Sequence, residues 1–158
     1  MIYFITSKMP NYDKSIIEKT IRKISSKKHL SLDVLSKIEN THIENKYFYG
    51  LENDTQLKIT RIRSYFEKIF PRIIIRFDKK DFNTFYLRFN LLTTFFLLFM
   101  IISVIMNIIY SIESKSIDKD LITLTIISFG FVILSVREYK LLIKILIREI
   151  NMIENRND

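Results

Sequence analysis

The sequence predicts an α+β membrane protein: a small antiparallel β meander or barrel-like cytosolic domain with an N-terminal helix, two transmembrane helices and a C-terminal amphipathic helix. The first observation is a conflict in composition, because the chain has a formal charge of +8 although 48% of its residues are hydrophobic. The conflict disappears if the apolar residues are concentrated in membrane spans and the charges lie elsewhere. The second observation is a pair of long charge-free runs, and the third is a set of alternating runs before them.

Residues 1–88 are predicted to form the cytosolic α+β domain. Residues 1–6 are a candidate strand, and Pro10 marks the break after it. An amphipathic helix follows from Asp13, with isoleucines at helical spacing and lysines on the other faces. We favour docking of this helix on the sheet over attachment to anionic lipid, because its apolar stripe is narrow and has no aromatic residues.

The rest of this domain is predicted to be mainly strands. The segment 29–41 is short and ambiguous, and its spacing fits a helix slightly better than a strand. Four strand-like runs come after it, and most are joined by short polar turns, which predicts an antiparallel meander. These runs are residues 46–50, 55–63, 72–77 and 83–88.

The two charge-free runs are the predicted transmembrane helices. Residues 89–112 have no charge, and a 24-residue helix reaches about 36 Å, more than the ~30 Å hydrocarbon core. The second run, 121–136, has 16 residues and is slightly short for a span. We predict that it crosses nevertheless, because Lys119 and Arg137 can extend their charges to the two interfaces. Residues 113–120 are the extracytoplasmic connector between the spans.

Charge asymmetry predicts the orientation of the spans. The connector is the segment poorest in Lys and Arg, and basic residues lie before the first span and after the second. By the positive-inside rule the chain is a multi-pass protein of the inner (plasma) membrane with both termini in the cytoplasm. The start of the chain has no basic segment followed by a long apolar stretch, so we expect the internal spans to drive insertion.

Residues 137–158 are predicted to be a cytosolic amphipathic helix that continues from the second span. Apolar residues from Tyr139 to Ile153 follow 4-3-4-3 spacing, and basic residues line one edge. Three interpretations stay open: packing on the β domain, pairing with another copy, or lying on the inner leaflet. We favour the first, because two heptads are too few to specify a coiled coil unaided.

The composition argues against catalysis. The chain has no Cys, two His and two Gly, so thiolate chemistry, His-rich metal sites and glycine-rich phosphate loops are excluded. No pair of carboxylates and no serine lies in a recognisable hydrolase motif. We therefore expect a protein that is not an enzyme and that uses no cofactor and no metal.

Basic residues interleaved with aromatics between Lys58 and Phe89 are the candidate binding site. On strands, alternation can place arginines on one face as a platform for a nucleotide-type or other phosphate-bearing ligand. The alternative, which we favour, is a juxtamembrane patch that holds the domain against anionic lipid. The residues proposed for ligand binding are Arg61, Arg63, Arg72 and Arg76.

Each predicted span carries a stripe of small and polar residues. Such residues usually mark the contact face between membrane helices, so we expect a helical hairpin joined along these stripes. Alternatively, several copies assemble and the stripes, above all that of Asn107, line a water-filled path. Neither span carries a charge, which argues against a proton relay or voltage sensor. The predicted contact residues are Ser103, Asn107, Ser111, Thr125, Ser128 and Gly130.

The stretch 47–90 followed directly by a span resembles a class of small uncharacterised bacterial membrane proteins, in which a β-rich cytosolic domain lies beside two transmembrane helices. More coarsely, the chain is similar to the two-span β-barrel effectors of cyclic-oligonucleotide antiphage systems. That resemblance implies ligand binding by the barrel, oligomerisation and membrane disruption. In those effectors the spans precede the barrel, whereas here the β domain comes first, and no binding residue is carried over by motif. The similarity rests on Phe48, Gly50, Leu57, Ile59, Arg61, Phe70, Pro71, Ile73 and Arg76.

The leading hypothesis is a homo-oligomeric membrane protein whose cytosolic domain senses a ligand or partner and couples it to association of the spans, as a membrane-permeabilising defence effector would. The alternative is a membrane-anchored adaptor, or an accessory subunit of a larger membrane complex, whose basic surface holds a protein partner or anionic lipid.

Overall fold

The computed structural model describes residues 3–9, 12–27, 31–33, 46–64, 66–114 and 119–155. Within these ranges the chain is α+β, with a six-stranded mixed sheet and three α-helices. One 3-10 turn, Phe66–Ile69, is called the 66–69 turn below. The elements in chain order are β1 (Ile5–Lys8), α1 (Lys14–Ile24), β2 (Ser25–Lys27), β3 (Phe48–Glu52), β4 (Gln56–Arg61), β5 (Ile73–Asp78), β6 (Asp81–Phe89), α2 (Leu91–Ser114) and α3 (Lys119–Glu154).

The sheet has the order β1-β6-β5-β4-β3-β2. Strands β3 to β6 pair antiparallel with their chain neighbours, which confirms the predicted meander. Strand β1 adds to β6 antiparallel, and β2 adds to β3 in parallel, so the sheet is mixed. In the described ranges the sheet ends in two edges, β1 and β2, and does not close on itself, so the barrel-like expectation was wrong. Strand β2 has only three residues and no apolar alternation, which left no pattern to predict it.

Helix α1 packs its isoleucine face on the sheet, as expected. Asp13 caps its N-terminus by accepting a hydrogen bond from the Ser15 backbone N–H at 3.4 Å, and Ile17 and Ile21 are fully buried. Strand β2 then follows without a linker and lies close to β3. A Cβ on Gly50 would come within 3.2 Å of the Ser25 side chain, so glycine permits this close pairing.

Helices α2 and α3 are both long and apolar enough to cross a membrane. Only 11% of the most apolar 18-residue stretch of α2 is buried, and none of that of α3, so these stretches are not core helices of the sheet domain. Helix α2 begins two residues later than the predicted span, because β6 extends to Phe89 and Asn90 caps the helix through the Thr93 N–H at 3.0 Å. Residues 115–118 of the predicted connector lie outside the described residues.

Helix α3 is one continuous helix of 36 residues with two different halves. Residues 119–136 carry exposed apolar side chains, whereas Leu142, Leu146 and Ile150 are fully buried in the main core with the sheet and α1. Burying each such side chain contributes about 1.5–3 kcal/mol. Of the three interpretations of the tail, packing on the β domain is confirmed.

The opposite face of the sheet carries a smaller apolar cluster. Leu32 is 1% exposed and packs with Tyr49 and Ile74 on this face. Apart from residues 31–33, which form a turn, the segment 29–41 lies outside the described residues, so its helical prediction is not addressed.

Candidate functional site at the base of the apolar helices

A buried arginine joins the sheet to α3 where its apolar half ends. Arg61, the last residue of β4, donates to both carboxylate oxygens of Glu138, at 3.2 Å from Nε and 2.7 Å from Nη2. Its Nη1 donates to Glu67 at 2.9 Å. Arg61 is 6% exposed and Glu138 is 1% exposed. Burial alone would lower the pKa of Arg61, but hydrogen bonds and charge from Glu138, then Glu67, raise it above its ordinary value.

These contacts define what Arg61 can do chemically. Its guanidinium is already bound bidentately by one carboxylate and singly by another, so an added anion would have to displace one of them. A buried charge pair of this kind positions elements, and removing one partner costs about 3–5 kcal/mol. Arg61 therefore positions α3 against the sheet.

Arg63 and Arg72 lie beside this cluster at the same end of the sheet. Arg63 donates from Nη1 to the Phe70 carbonyl oxygen, and its buried Nε has no hydrogen-bond partner within the part of the chain that the structure describes. Burial and the nearby charge of Arg72 lower the pKa of Arg63 to about 10. Burial likewise lowers the pKa of Arg72. The two half-buried guanidinium groups repel each other, and an anion bound at Arg63 would offset this repulsion.

This arginine pair is adjacent to the start of α2. The backbone N–H of Arg72 approaches the Thr93 hydroxyl at 3.4 Å, and its carbonyl accepts from the Asn90 N–H at 2.9 Å. The backbone of Arg72 is therefore attached directly to the residues at the start of α2.

Arg76 lies apart from the other three arginines. It alternates with the buried Ile75 and Phe77, so it projects from the opposite face of β5. There its guanidinium carbon is 4.3 Å from the ring centroids of both Tyr3 and Tyr86. The structure thus brings Arg61, Arg63 and Arg72 together and does not form one platform of four.

Two carboxylates that sequence analysis missed complete the base of the helices. Asp33 binds Arg88 at the end of β6 bidentately, with both distances at 2.7 Å, and its Oδ1 accepts the Leu91 N–H of α2 at 3.1 Å. Hydrogen bonds from Arg88 lower the pKa of Asp33 despite its partial burial. The second carboxylate is that of Glu138. The sequence feature that could have identified it is its position, four residues before Leu142 on the buried stripe of α3.

The predicted contact residues of the spans differ in their surroundings. Ser103, Asn107 and Ser111 are half-buried on α2, whereas Thr125 is exposed on α3. Asn107 donates to the Ser103 carbonyl and Thr125 to the Leu121 carbonyl, each within its own helix.

Ser128 and Gly130 are the two remaining predicted contact residues. The Ser111 and Ser128 hydroxyls are buried and have no hydrogen-bond partner among the described residues. No described atom lies within 4 Å of a Cβ built on Gly130, so this glycine mediates no close approach within the described part of one copy.

An apolar groove of about 380 Å³ runs along the pair formed by α2 and α3. The residues from α2 include Met100 and Val104, and those from α3 include Phe131 and Val132. A groove with this lining suits a lipid tail or another apolar helix rather than a polar ligand.

Comparison of the chain with protein-family profiles, curated proteins and solved structures finds no match. Among the described residues, no group of three His, Asp or Glu side chains is placed to hold a metal ion.

Proposed function

We propose that this chain is a two-span protein of the inner membrane, with both termini in the cytoplasm, and that its sheet domain couples a bound ligand or partner to association of the spans. The proposed activity is non-enzymatic. The associated copies would permeabilise the membrane, as a defence effector does.

The observation that carries this proposal is the continuity of α3. One helix contributes an exposed apolar half and a half that packs in the sheet core, with Leu142 and Leu146 fully buried. The Arg61–Glu138 pair lies at the junction of the two halves. A displacement of the sheet would therefore be transmitted to the span through a rigid element instead of a flexible linker.

The proposed ligand site is the Arg63–Arg72 pair. The nearby Glu67 and Glu138 are bound by Arg61, so an anion bound at Arg63 would offset the effects of burial and of the Arg72 charge. A phosphate-bearing ligand fits this charge, and guanidinium groups bind phosphate oxygens in a planar, bidentate manner.

Association of copies is supported by the apolar groove along α2 and α3, whose lining includes Ser128. This groove could accept a helix of a second copy, and hydrogen bonds between helices contribute about 0.6–2 kcal/mol each in membranes.

The test is dye release from vesicles that contain the full chain, with Asn107→Leu and Arg63→Glu variants. Thr123→Leu is the matched control, because Thr123 has the same kind of intrahelical bond, is exposed and is not among the predicted contact residues. We expect release to fall in both variants and to persist in the control. Equal release from all four proteins would contradict the effector function.

A membrane-anchored adaptor, or an accessory subunit of a larger complex, is the second candidate. It is favoured by the two buried ion pairs, Arg61–Glu138 and Arg88–Asp33, which hold the sheet domain firmly to the helices. An anchor needs such rigidity and no assembly of spans. In that case overexpression is harmless, and affinity purification with the full chain recovers one defined protein partner.

A further inference from the structure

The 66–69 turn exposes two large apolar side chains to solvent. Phe66 is 84% exposed and Ile69 is 73% exposed. Among the described residues outside α2 and α3, no other large apolar side chain is exposed beyond 42%. Exposed apolar groups that project together mark an interaction surface.

Hydrogen bonds at both ends of the turn fix the backbone that carries Phe66 and Ile69. The Ser64 N–H and hydroxyl donate to Glu67 at 2.9 and 3.0 Å, and Arg61 donates to the other carboxylate oxygen. The Phe70 N–H donates to the Glu67 carbonyl at 3.1 Å, and the Phe70 ring is buried. Both ends of the turn are therefore held, and Phe66 and Ile69 are presented from a fixed backbone.

The turn lies at the level where the apolar helices meet the sheet domain. The guanidinium carbon of Arg137, the first residue after the predicted second span, is 5.2 Å from the centre of the Phe70 ring. Arg63 binds the Phe70 carbonyl, and Arg72 lies beside the first turn of α2. The surface of a bilayer crossed by α2 and α3 would pass close to Ile69.

The charges around the turn complement an anionic surface. The residue after the turn, Phe70, is contacted by Arg63 through its carbonyl and by Arg137 through its ring. Arg72 follows two residues later, and the acid of the turn, Glu67, is bound by Arg61. Basic groups near a membrane attract anionic lipids, and apolar side chains beside them enter the acyl boundary.

We propose that the 66–69 turn inserts into the cytoplasmic leaflet, with Phe66 and Ile69 in the acyl boundary and Arg63 and Arg137 on the phosphates of anionic phospholipids. This inference rests on the proposed membrane topology. It assigns the turn a third contact with the bilayer, separate from both helices, which fixes the tilt of the sheet domain.

The absence of cysteine in the chain allows a direct test with single labels. Phe66→Cys, Phe99→Cys and Asp54→Cys variants of the full chain are labelled with an environment-sensitive fluorophore in phosphatidylcholine–phosphatidylglycerol vesicles. Phe99 is 65% exposed on α2 and reports the span. Asp54 is exposed in the turn between β3 and β4, at the far end of the sheet, and reports the solvent.

Quenchers attached to lipid tails and aqueous iodide distinguish the outcomes. We expect the label at position 66 to lose most of its fluorescence to the lipid-borne quencher, as at position 99, and the label at position 54 to respond to iodide. An Arg63→Gln change should reduce lipid quenching at position 66 in the mixed vesicles and leave position 99 unchanged.

Three results would overturn the inference. If position 66 responds to iodide like position 54 while position 99 stays in lipid, the turn does not insert and the topology stands. If position 66 is shielded from both quenchers, a second copy covers the turn. If position 99 itself responds to iodide, the proposed topology fails together with the inference.

Discussion

The two buried arginine–carboxylate pairs at the base of the helices are alike in chemistry and different in what they connect. Arg61–Glu138 joins a strand directly to α3, and both side chains are almost fully enclosed. Arg88–Asp33 joins a strand to the turn at residues 31–33, and the same Asp33 carboxylate accepts the Leu91 N–H of α2. Helix α3 is thus attached to the sheet through one of its own side chains, Glu138. Helix α2 is held instead through Asp33, which belongs to a separate segment of the chain. Anything that moves residues 31–33 would loosen α2 and leave α3 in place.

The largest predicted effect is that of Glu138→Ala. The substitution leaves Arg61 buried with Glu67 as its remaining carboxylate, so we expect a loss of about 3–5 kcal/mol in the free energy of unfolding. Denaturant unfolding of the full chain in detergent, followed by circular dichroism, measures it. Glu149→Ala is the matched control: its partner Arg148 is 49% exposed, and the loss should stay below about 1 kcal/mol. Similar losses in both variants would mean that the Glu138 pair does not hold the helix.

A smaller and more local effect is expected for Asp33→Asn. The amide keeps the shape but removes the charge that binds Arg88, which costs about 2 kcal/mol. Amide hydrogen exchange should accelerate in the first turn of α2 and not in the second half of α3. Acceleration in both helices would contradict the separate attachment of the two helices.

The lowered pKa values of two carboxylates, Asp33 and Glu52, predict that the stability of the fold depends on pH. The pKa of Asp33 is lowered by Arg88, and that of Glu52 is lowered to about 2 by hydrogen bonds from Arg22 and Lys79. A lowered pKa in the folded state means that each group stabilises the fold above its unfolded pKa and loses this contribution as pH falls through the folded value. Melting temperature should therefore fall in acid, and fall less steeply for Asp33→Asn. Parallel slopes for the two proteins would show that the Arg88–Asp33 pair is not the group that titrates.

The smallest effect is expected for Arg76→Gln, which lies on the opposite face of the sheet. It removes contacts with two tyrosine rings, each worth about 0.5–1 kcal/mol at such sites. Hydrogen exchange at the first turn of α2 and the middle of α3 should stay at the wild-type rate. A change there would show that this face is coupled to the helix base.

Much of the fold could be predicted because local patterns report local structure. Alternation identified β3 to β6, and the spacing of isoleucines identified α1. Strand β1 was predicted at residues 1–6, whereas it spans Ile5–Lys8. Strand β2 could not be predicted, because it has three residues and gains its stability from a partner distant in the chain.

The role of Arg61 was missed for a related reason. Its alternation with Leu57 and Ile59 places it on the apolar face of β4, and Glu138 interrupts the apolar stripe of α3 in the same way. Each charge alone is an exception to its pattern, and only the pair explains both. Opposite charges on two apolar faces of one chain are a signal that the faces meet. Asp33 gave no such signal, since it lies in a segment without clear periodicity.

The unbroken length of α3 has a mechanical consequence. Glu138 works as a pivot, and the stretch back to Lys119 is a stiff arm of about 29 Å. When the sheet rocks through an angle of roughly 10°, the far tip swings by about 5 Å, close to one turn of helix. A small adjustment of the sheet domain is thereby magnified at the far end of α3.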